Sequence, residues 1–346
     1  MTEPRRIKIV VDAMGGDFAP EVNFEGALQA LDQDPLLDLV LVGPKNILEE
    51  GLQKRGKAPS DRLQILHAGE VISMEDHGAA VIRKKKDSSI HVGLKYVRDG
   101  HADAFISAGN SGAVMAGATF IIGRIADVER PAIVVKLPTA EGFITMLDAG
   151  ANVDCRPNHL VQFAEMGSIF SQVIDGIERP RIALLSNGSE THKGNELTRG
   201  THEILKDLTD LNYVGSVEGN DLFRGLTDVV VCDGFVGNVT LKTTEGVAET
   251  AFQWFRQQIK KDVLGMIGVA LMRKTLKKFK AKFDYQPYGA APLLGIEGMV
   301  LISHGGSTSV AIRNGIFTAK RGVEMGFVEK IRARLSGATS PISGGI

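Results

Sequence analysis

Ile7-Lys-Ile-Val-Val-Asp-Ala-Met-Gly-Gly-Asp17 opens as an apolar run and ends in a polar, glycine-rich turn. The run is nearly unbroken, which suits a strand covered on both faces better than one with a wet side. The same grammar recurs outward along the chain. Apolar runs at 37–42, 63–66, 104–107, 133–137, 144–148, 182–186, 213–217, 229–233 and 299–303 alternate with helical patterns such as 21–33, 79–83 and 158–174. This alternation predicts an α/β fold with a doubly wound, mostly parallel sheet.

Polar, glycine-rich clusters follow six of the runs: Asp12–Asp17, Ser107–Gly112, Asp148–Asn152, Ser186–Glu190, Asp233–Asn238 and Ser303–Gly306. In a parallel sheet the strand C-termini share one edge, and ligands bind in the crevice there. Six clusters at one edge predict one composite site. Gly15, Gly16, Gly109, Gly112, Gly188, Gly194 and Gly237 leave backbone N–H groups open to close approach, the chemistry of an anion site. Ser107 to Ala113 reads as a strand, a nest and a helix start at Ser111. Lys193 follows a second glycine-rich turn and is placed to pair with phosphate. Asn110, Asn152 and Asn238 at loop tips need partners if buried.

The segment 251–286 breaks the pattern. It reads as two helices joined at an apolar tip carrying Leu264, Met266, Ile267, Val269 and Leu271. A basic face with Arg273, Lys274, Lys277 and Lys278 follows. Such a helix suits an anionic membrane surface, lying on it rather than crossing it; a dimer contact with a solvated basic face is the other reading. The expected organisation is an α/β catalytic domain at 1–251 and 284–335, a hairpin at 252–283 and a disordered tail at 336–346.

Composition narrows the classes. Lys+Arg (40) nearly balance Asp+Glu (41) in 346 residues, which argues against a nucleic-acid partner. The two cysteines, Cys155 and Cys232, form neither a disulfide framework nor a zinc spacing and suit a reducing cytoplasm. No signal peptide is visible, and the longest apolar run, 263–272, is about half of what spans a bilayer. Motifs of P-loop nucleotide hydrolases, dinucleotide sites and α/β-hydrolases are absent.

Val11-Asp-Ala-Met-Gly-Gly-Asp17 closely resembles the opening signature of the bacterial acyl-ACP:phosphate acyltransferases, the PlsX family. The resemblance continues through Lys85–Ser89, Ser107–Ala113, Asp148–Asn152, Lys193-Gly-Asn195, Asp233–Lys242, Pro292–Gly298 and Ser303-His-Gly305, from about Ile7 to Phe327. It implies a fold similar to phosphotransacetylases and the isopropylmalate dehydrogenase group, a homodimer and no redox cofactor. It further implies acyl carrier protein as donor, membrane docking through the hairpin, and a membrane glycerol-3-phosphate acyltransferase receiving the acyl phosphate. The protein is expected in the cytoplasm, held peripherally at the inner face of the cell membrane. Glu190-Thr191 departs from the two acidic residues common before the Lys-Gly pair.

The reaction expected is direct attack of orthophosphate on a thioester. Lys193 and the backbone at Gly109–Gly112 hold phosphate; Asn152 and Asn238 donate to the oxyanion or fix loops; His304 protonates sulfur or bonds phosphate. Asp12, Asp17 and Asp233 orient donors, with a metal ion as the alternative. Neither cysteine has a sequence partner for covalent catalysis. The rivals are a short-chain phosphotransacetylase using acyl-CoA, a decarboxylating dehydrogenase and a non-enzymatic membrane scaffold.

Overall fold

In the computed structural model, which describes residues 5–190, 192–261, 266, 268–269, 271–276 and 289–336, strands and helices alternate from the start. They run β1 (Ile7–Asp12), α1 (Glu21–Gln33), β2 (Leu37–Gly43), α2 (Lys45–Lys54), β3 (Leu63–His67), α3 (Gly78–Lys84), α4 (Ser89–Arg98), β4 (Ala104–Ser107) and α5 (Ser111–Gly117). Next come β5 (Ala132–Ile133), β6 (Val135–Pro138), β7 (Phe143–Leu147), α6 (Pro157–Phe170), β8 (Ile182–Leu185), α7 (Glu196–Leu205), β9 (Tyr213–Val217), β10 (Val229–Val231) and α8 (Gly234–Lys260). The last are β11 (Ala291–Leu294), β12 (Met299–Ile302), α9 (Ser309–Glu324) and α10 (Phe327–Ser336). A π-helical turn extends each of α5 and α6, at Ala118–Ile122 and Ser171–Asp175.

The strands form two sheets. One has seven strands in the order β3-β2-β1-β4-β12-β11-β5; the other has five, β6-β7-β10-β8-β9. Most pairs are parallel; β11 runs antiparallel to both neighbours and β6 to β7. The apolar runs of the sequence follow from burial on both faces. Ile7, Ile9 and Val11 face one core while Val10 faces another; Val229 and Val231 share the first core while Val230 and Cys232 face a third. The first core includes residues of both sheets together with α1, α6, α9 and α10, so the sheets are joined by a common apolar layer.

The run expected as one strand at 133–137 is two. Ala132–Ile133 pairs with β11 in the first sheet, and Val135–Pro138 pairs with β7 in the second. Between them Val134 donates its N–H to the Pro292 carbonyl (3.1 Å). This strap carries the chain from sheet to sheet; it is apolar apart from Lys136. β11, which has no counterpart among the expected strands, is short and contains Pro292.

The described part of α8 runs straight through the point at 252 where the hairpin was expected to begin. Among the apolar-tip residues, Met266 and Leu271 are exposed and Val269 is half-buried; Lys274 is exposed. Leu264, Ile267, Lys277 and Lys278 lie outside the described residues, as do Thr191 and the tail from 337. Among the described residues no helix is long and apolar enough to cross a membrane.

Candidate active site

With two sheets there are two edges, and the six clusters divide three and three. β1, β4 and β12 are neighbours, as are β7, β10 and β8. In the first sheet the clusters knit directly. Asp17 donates its N–H to the Gly305 carbonyl (2.8 Å), and Ser303 donates to the Ser107 carbonyl (2.8 Å). Gly15 lies so close to the second loop that a methyl there would sit 2.5 Å from the Gly109 nitrogen. Beneath them is Asp12, fully buried. It accepts the Ser107 hydroxyl (2.6 Å) and the Met14 N–H (3.1 Å), while Ser107 Oγ accepts the Gly109 N–H (3.0 Å). Burial raises the Asp12 pKa above the ordinary carboxylate value, against the pull of these donors. Asn110 caps α5 by accepting the Ala113 N–H (3.0 Å), and its amide reaches across to the Asp76 carbonyl (2.8 Å).

In the second sheet the organiser is Asp148, after a cis Leu147–Asp148 peptide. Its carboxylate accepts N–H groups from Ile133 (3.0 Å), Gly150 (3.2 Å), Ala151 (3.0 Å) and Asn152 (2.6 Å), and the Asn152 amide (2.8 Å). Burial again pushes its pKa up. The Asn152 amide also donates to the Pro131 carbonyl (2.7 Å). The N–H groups of this loop thus turn inward onto the chain's own carboxylate. Asp233 caps α8 by accepting the Val236 N–H (2.9 Å). Gly237 then passes against the Asp148 carbonyl so tightly that any side chain there would overlap it.

The two edges face one another across two cavities that share Gly112 and Met115 of α5. One, of about 410 Å³, is lined at the loops by Ser111, Gly112, Gly150, Asn238, Ser303 and His304. Ser111 and Gly112 occupy the first turn of α5, where N–H groups lack intrahelical acceptors. His304 Nδ1 accepts the Gly306 N–H (3.1 Å). The other cavity, about 930 Å³, is lined by Arg124, Arg130, Arg156, Asn152, Cys155 and Phe120 among others. Phe120 is 60% exposed, and the Arg83 guanidinium lies 4.5 Å above its ring.

Four of the six clusters therefore line the cavities, and Asp12–Asp17 stands directly behind one of them. The sixth does not join. The loop after β8 closes on itself: Gly194 donates to Asn187 Oδ1 (2.8 Å), and Gly188 packs on the Lys193 side chain and Glu190. Lys193 is exposed and lines neither cavity. Asp17 is exposed beside Gly305. Asn152, Asp148 and Asp12 hold loops. The three arginines of the larger cavity come from two segments, the connection 123–131 and the residue before α6, and no local motif marks them; Arg83, over Phe120, comes from α3.

The thiols are not activated. Burial pushes Cys155 up to about 12, reinforced by the Asp148 and Asp233 charges, and burial likewise holds Cys232 well above its ordinary value.

The model of a family described as fatty acid synthesis protein matches residues 7–330. A phosphate acyltransferase from Halothermothrix orenii is 47% identical over 331 residues, covering 95% of this chain and 99% of that one. Another from Geobacter sulfurreducens is 47% identical, covering 95% and 94%. Among solved structures, a phosphotransacetylase from Streptococcus pyogenes superposes with a TM-score of 0.60 at 21% identity, covering 92% and 94%. A branched-chain phosphotransacylase from Enterococcus faecalis gives 0.57 at 14%, covering 92% and 99%. At these identities the structural likeness bears on the fold.

Proposed function

The chain belongs to the fatty acid synthesis protein family of phosphate acyltransferases (PlsX), and from that premise we propose that it transfers a long-chain fatty acyl group from acyl carrier protein to inorganic phosphate. The acyl phosphate then serves glycerol 3-phosphate acylation in phospholipid synthesis. One observation carries the chemistry: loops from two sheets converge on Ser111 and Gly112 beside Asn238 and His304, with both thiols held protonated. With neither thiol activated, the arrangement suits a substrate that brings its own nucleophile.

Orthophosphate is largely dianionic at neutral pH, its relevant pKa lying near the phosphoester value of about 6. One of its oxygens attacks the thioester carbonyl carbon, the tetrahedral oxyanion collapses, the C–S bond breaks and the carrier thiol leaves. That thiol has a pKa of roughly 8–9, so modest proton donation suffices. The first-turn N–H groups and the Ser111 hydroxyl hold phosphate, Asn238 donates to the oxyanion, and His304 supplies the proton to sulfur. Asp12, Asp148 and Asn152 position the loops, so the site works by placement and preorganised donors.

The larger cavity supports an acidic donor. Arg124, Arg130 and Arg156 line it with Phe120, over whose exposed ring Arg83 lies, and outnumber Glu129 and Asp154 there, a basic balance that would steer an acidic carrier. The same arginines would also take nucleotide phosphates, which keeps acyl-CoA as the second donor. Val239, Val247 and Trp254 stand exposed along α8, which supports a second copy against that helix. Leu271, 83% exposed beside Lys274, supports docking at the inner face of the cell membrane.

The test is phosphate-dependent release of free carrier protein from long-chain acyl carrier protein, with hydroxylamine trapping. Saturable release with trapped acyl hydroxamate establishes the reaction. Turnover of acetyl-CoA alone would move the chain to the phosphotransacetylases. Cosedimentation with anionic vesicles checks the membrane assignment.

A further inference from the structure

The smaller cavity continues well beyond the loops that bound its mouth. From Ile133, whose N–H is held by Asp148, its wall follows the strap through Val135 to Lys136. At about 3.3 Å per residue that is about 10 Å of depth. Phe170, Ile174 and Leu241 line it from α6, its π-turn and α8. Ser111, Asn238, Ser303 and His304 stand at the mouth, and the walls behind are chiefly apolar, with Thr318 and the Lys242–Glu245 pair of α8, whose charges partner each other, as polar members. This suits a site that orients one end of a molecule and buries the other.

Along the strap this apolar wall ends in a charge. The Lys136 side chain, 8% exposed, is paired with Asp175, donates to Thr145 Oγ1 (2.7 Å) and lies 5.3 Å above the Phe170 ring. Burial lowers its pKa, yet the ammonium keeps its partner. A buried ion pair is hydrogen-bonded within itself and is a poor neighbour for hydrocarbon.

We propose that this cavity receives the acyl chain of the donor thioester, and that the Lys136–Asp175 pair against Phe170 closes its far end and sets the length of chain accepted. The proposal rests on the phosphate acyltransfer reading, because the mouth must hold the reacting carbonyl. Each methylene moved from water into the cavity contributes about 0.8 kcal/mol, or about fourfold in kcat/KM. That gain stops where the chain meets the ion pair.

The test is kcat/KM over a series of saturated acyl-carrier donors of increasing length, on the full chain. The wild type should climb about fourfold per methylene and then level off. Ile174→Trp, which narrows the far half, should shift the ratio of long-chain to short-chain kcat/KM toward short chains by more than tenfold. Lys136→Met with Asp175→Leu, which removes the pair together, should move the plateau to longer chains. Unchanged ratios in both variants, or equal losses at every length, overturn the proposal. If no donor yields acyl phosphate, the reaction reading fails and the cavity is judged on binding. A fatty acid bearing a diazirine at its terminal carbon is photolysed with the protein, and the label is mapped by mass spectrometry. Label on 133–136 or 170–175, displaced by palmitate, sustains the chain assignment; label elsewhere, or none, overturns it.

Discussion

The two sheet edges solve the same problem in opposite ways. Each ends a strand with a buried aspartate under a glycine-rich loop. Asp148 takes four backbone N–H groups and an amide, so the loop of the second sheet is satisfied from within. Asp12 holds the first sheet's loops through Ser107 and Met14 and leaves the start of α5 facing the cavity. A glycine-rich turn can serve an anion only where the chain has not supplied its own. The loop over Asp148 is spent on bracing, while the start of α5 and Asn238 of the second sheet both face the cavity.

The sharpest way to break this contrast is at the brace. Gly237→Ala places a methyl into the Asp148 carbonyl and should cost about 3 kcal/mol or more in urea unfolding; an unchanged midpoint would show that the loop yields easily. Asp148→Asn should come next, at about 3 kcal/mol, because an amide cannot accept from five donors, while Asp12→Asn should cost about 1–2 kcal/mol. Both carboxyls have raised pKa values. Their contribution is full below the ordinary Asp value and is lost as pH rises through the raised one, so each Asn variant should flatten that loss in stability curves. At the binding edge, His304→Gln should leave stability within about 0.5 kcal/mol and lower kcat by about 10–100-fold; the reverse pattern would exchange the roles of the edges. The smallest effects belong to residues outside the reaction. Lys193→Ala should change the KM for phosphate less than about twofold, and Cys155→Ser should leave kcat within the same margin; a tenfold change in either, on a scale of about 1.4 kcal/mol per tenfold, would return that residue to the site.

Much of the fold was legible because double-sided burial writes itself into the sequence. β1, β4 and β9 match the apolar runs residue for residue, and α1 matches its helical pattern. The strap escaped the same rule: a run of apolar residues broken only by Lys136 does not say which sheet each half joins. With the strap unread, two edges looked like one. The clusters containing Ser111, Asn238 and His304 were marked by their glycines, whereas the loop of Lys193 bears the same marks and turns on itself. The basic lining of the larger cavity could not be read, because Arg156 joins Arg124 and Arg130 around it only after the chain has folded, and isolated arginines are ordinary surface residues.

The strap has a genetic consequence. Its residues alternate faces, so gaining or losing a single codon at Val134 would invert every side chain downstream within it. Lys136 would leave Asp175, and the pairing with β7 would slip against a first half still anchored to β11. Length variation should therefore be purged there and tolerated a few residues on, in the exposed turn around Glu141 between β6 and β7. A deletion scan through 130–145 would trace that boundary to the residue.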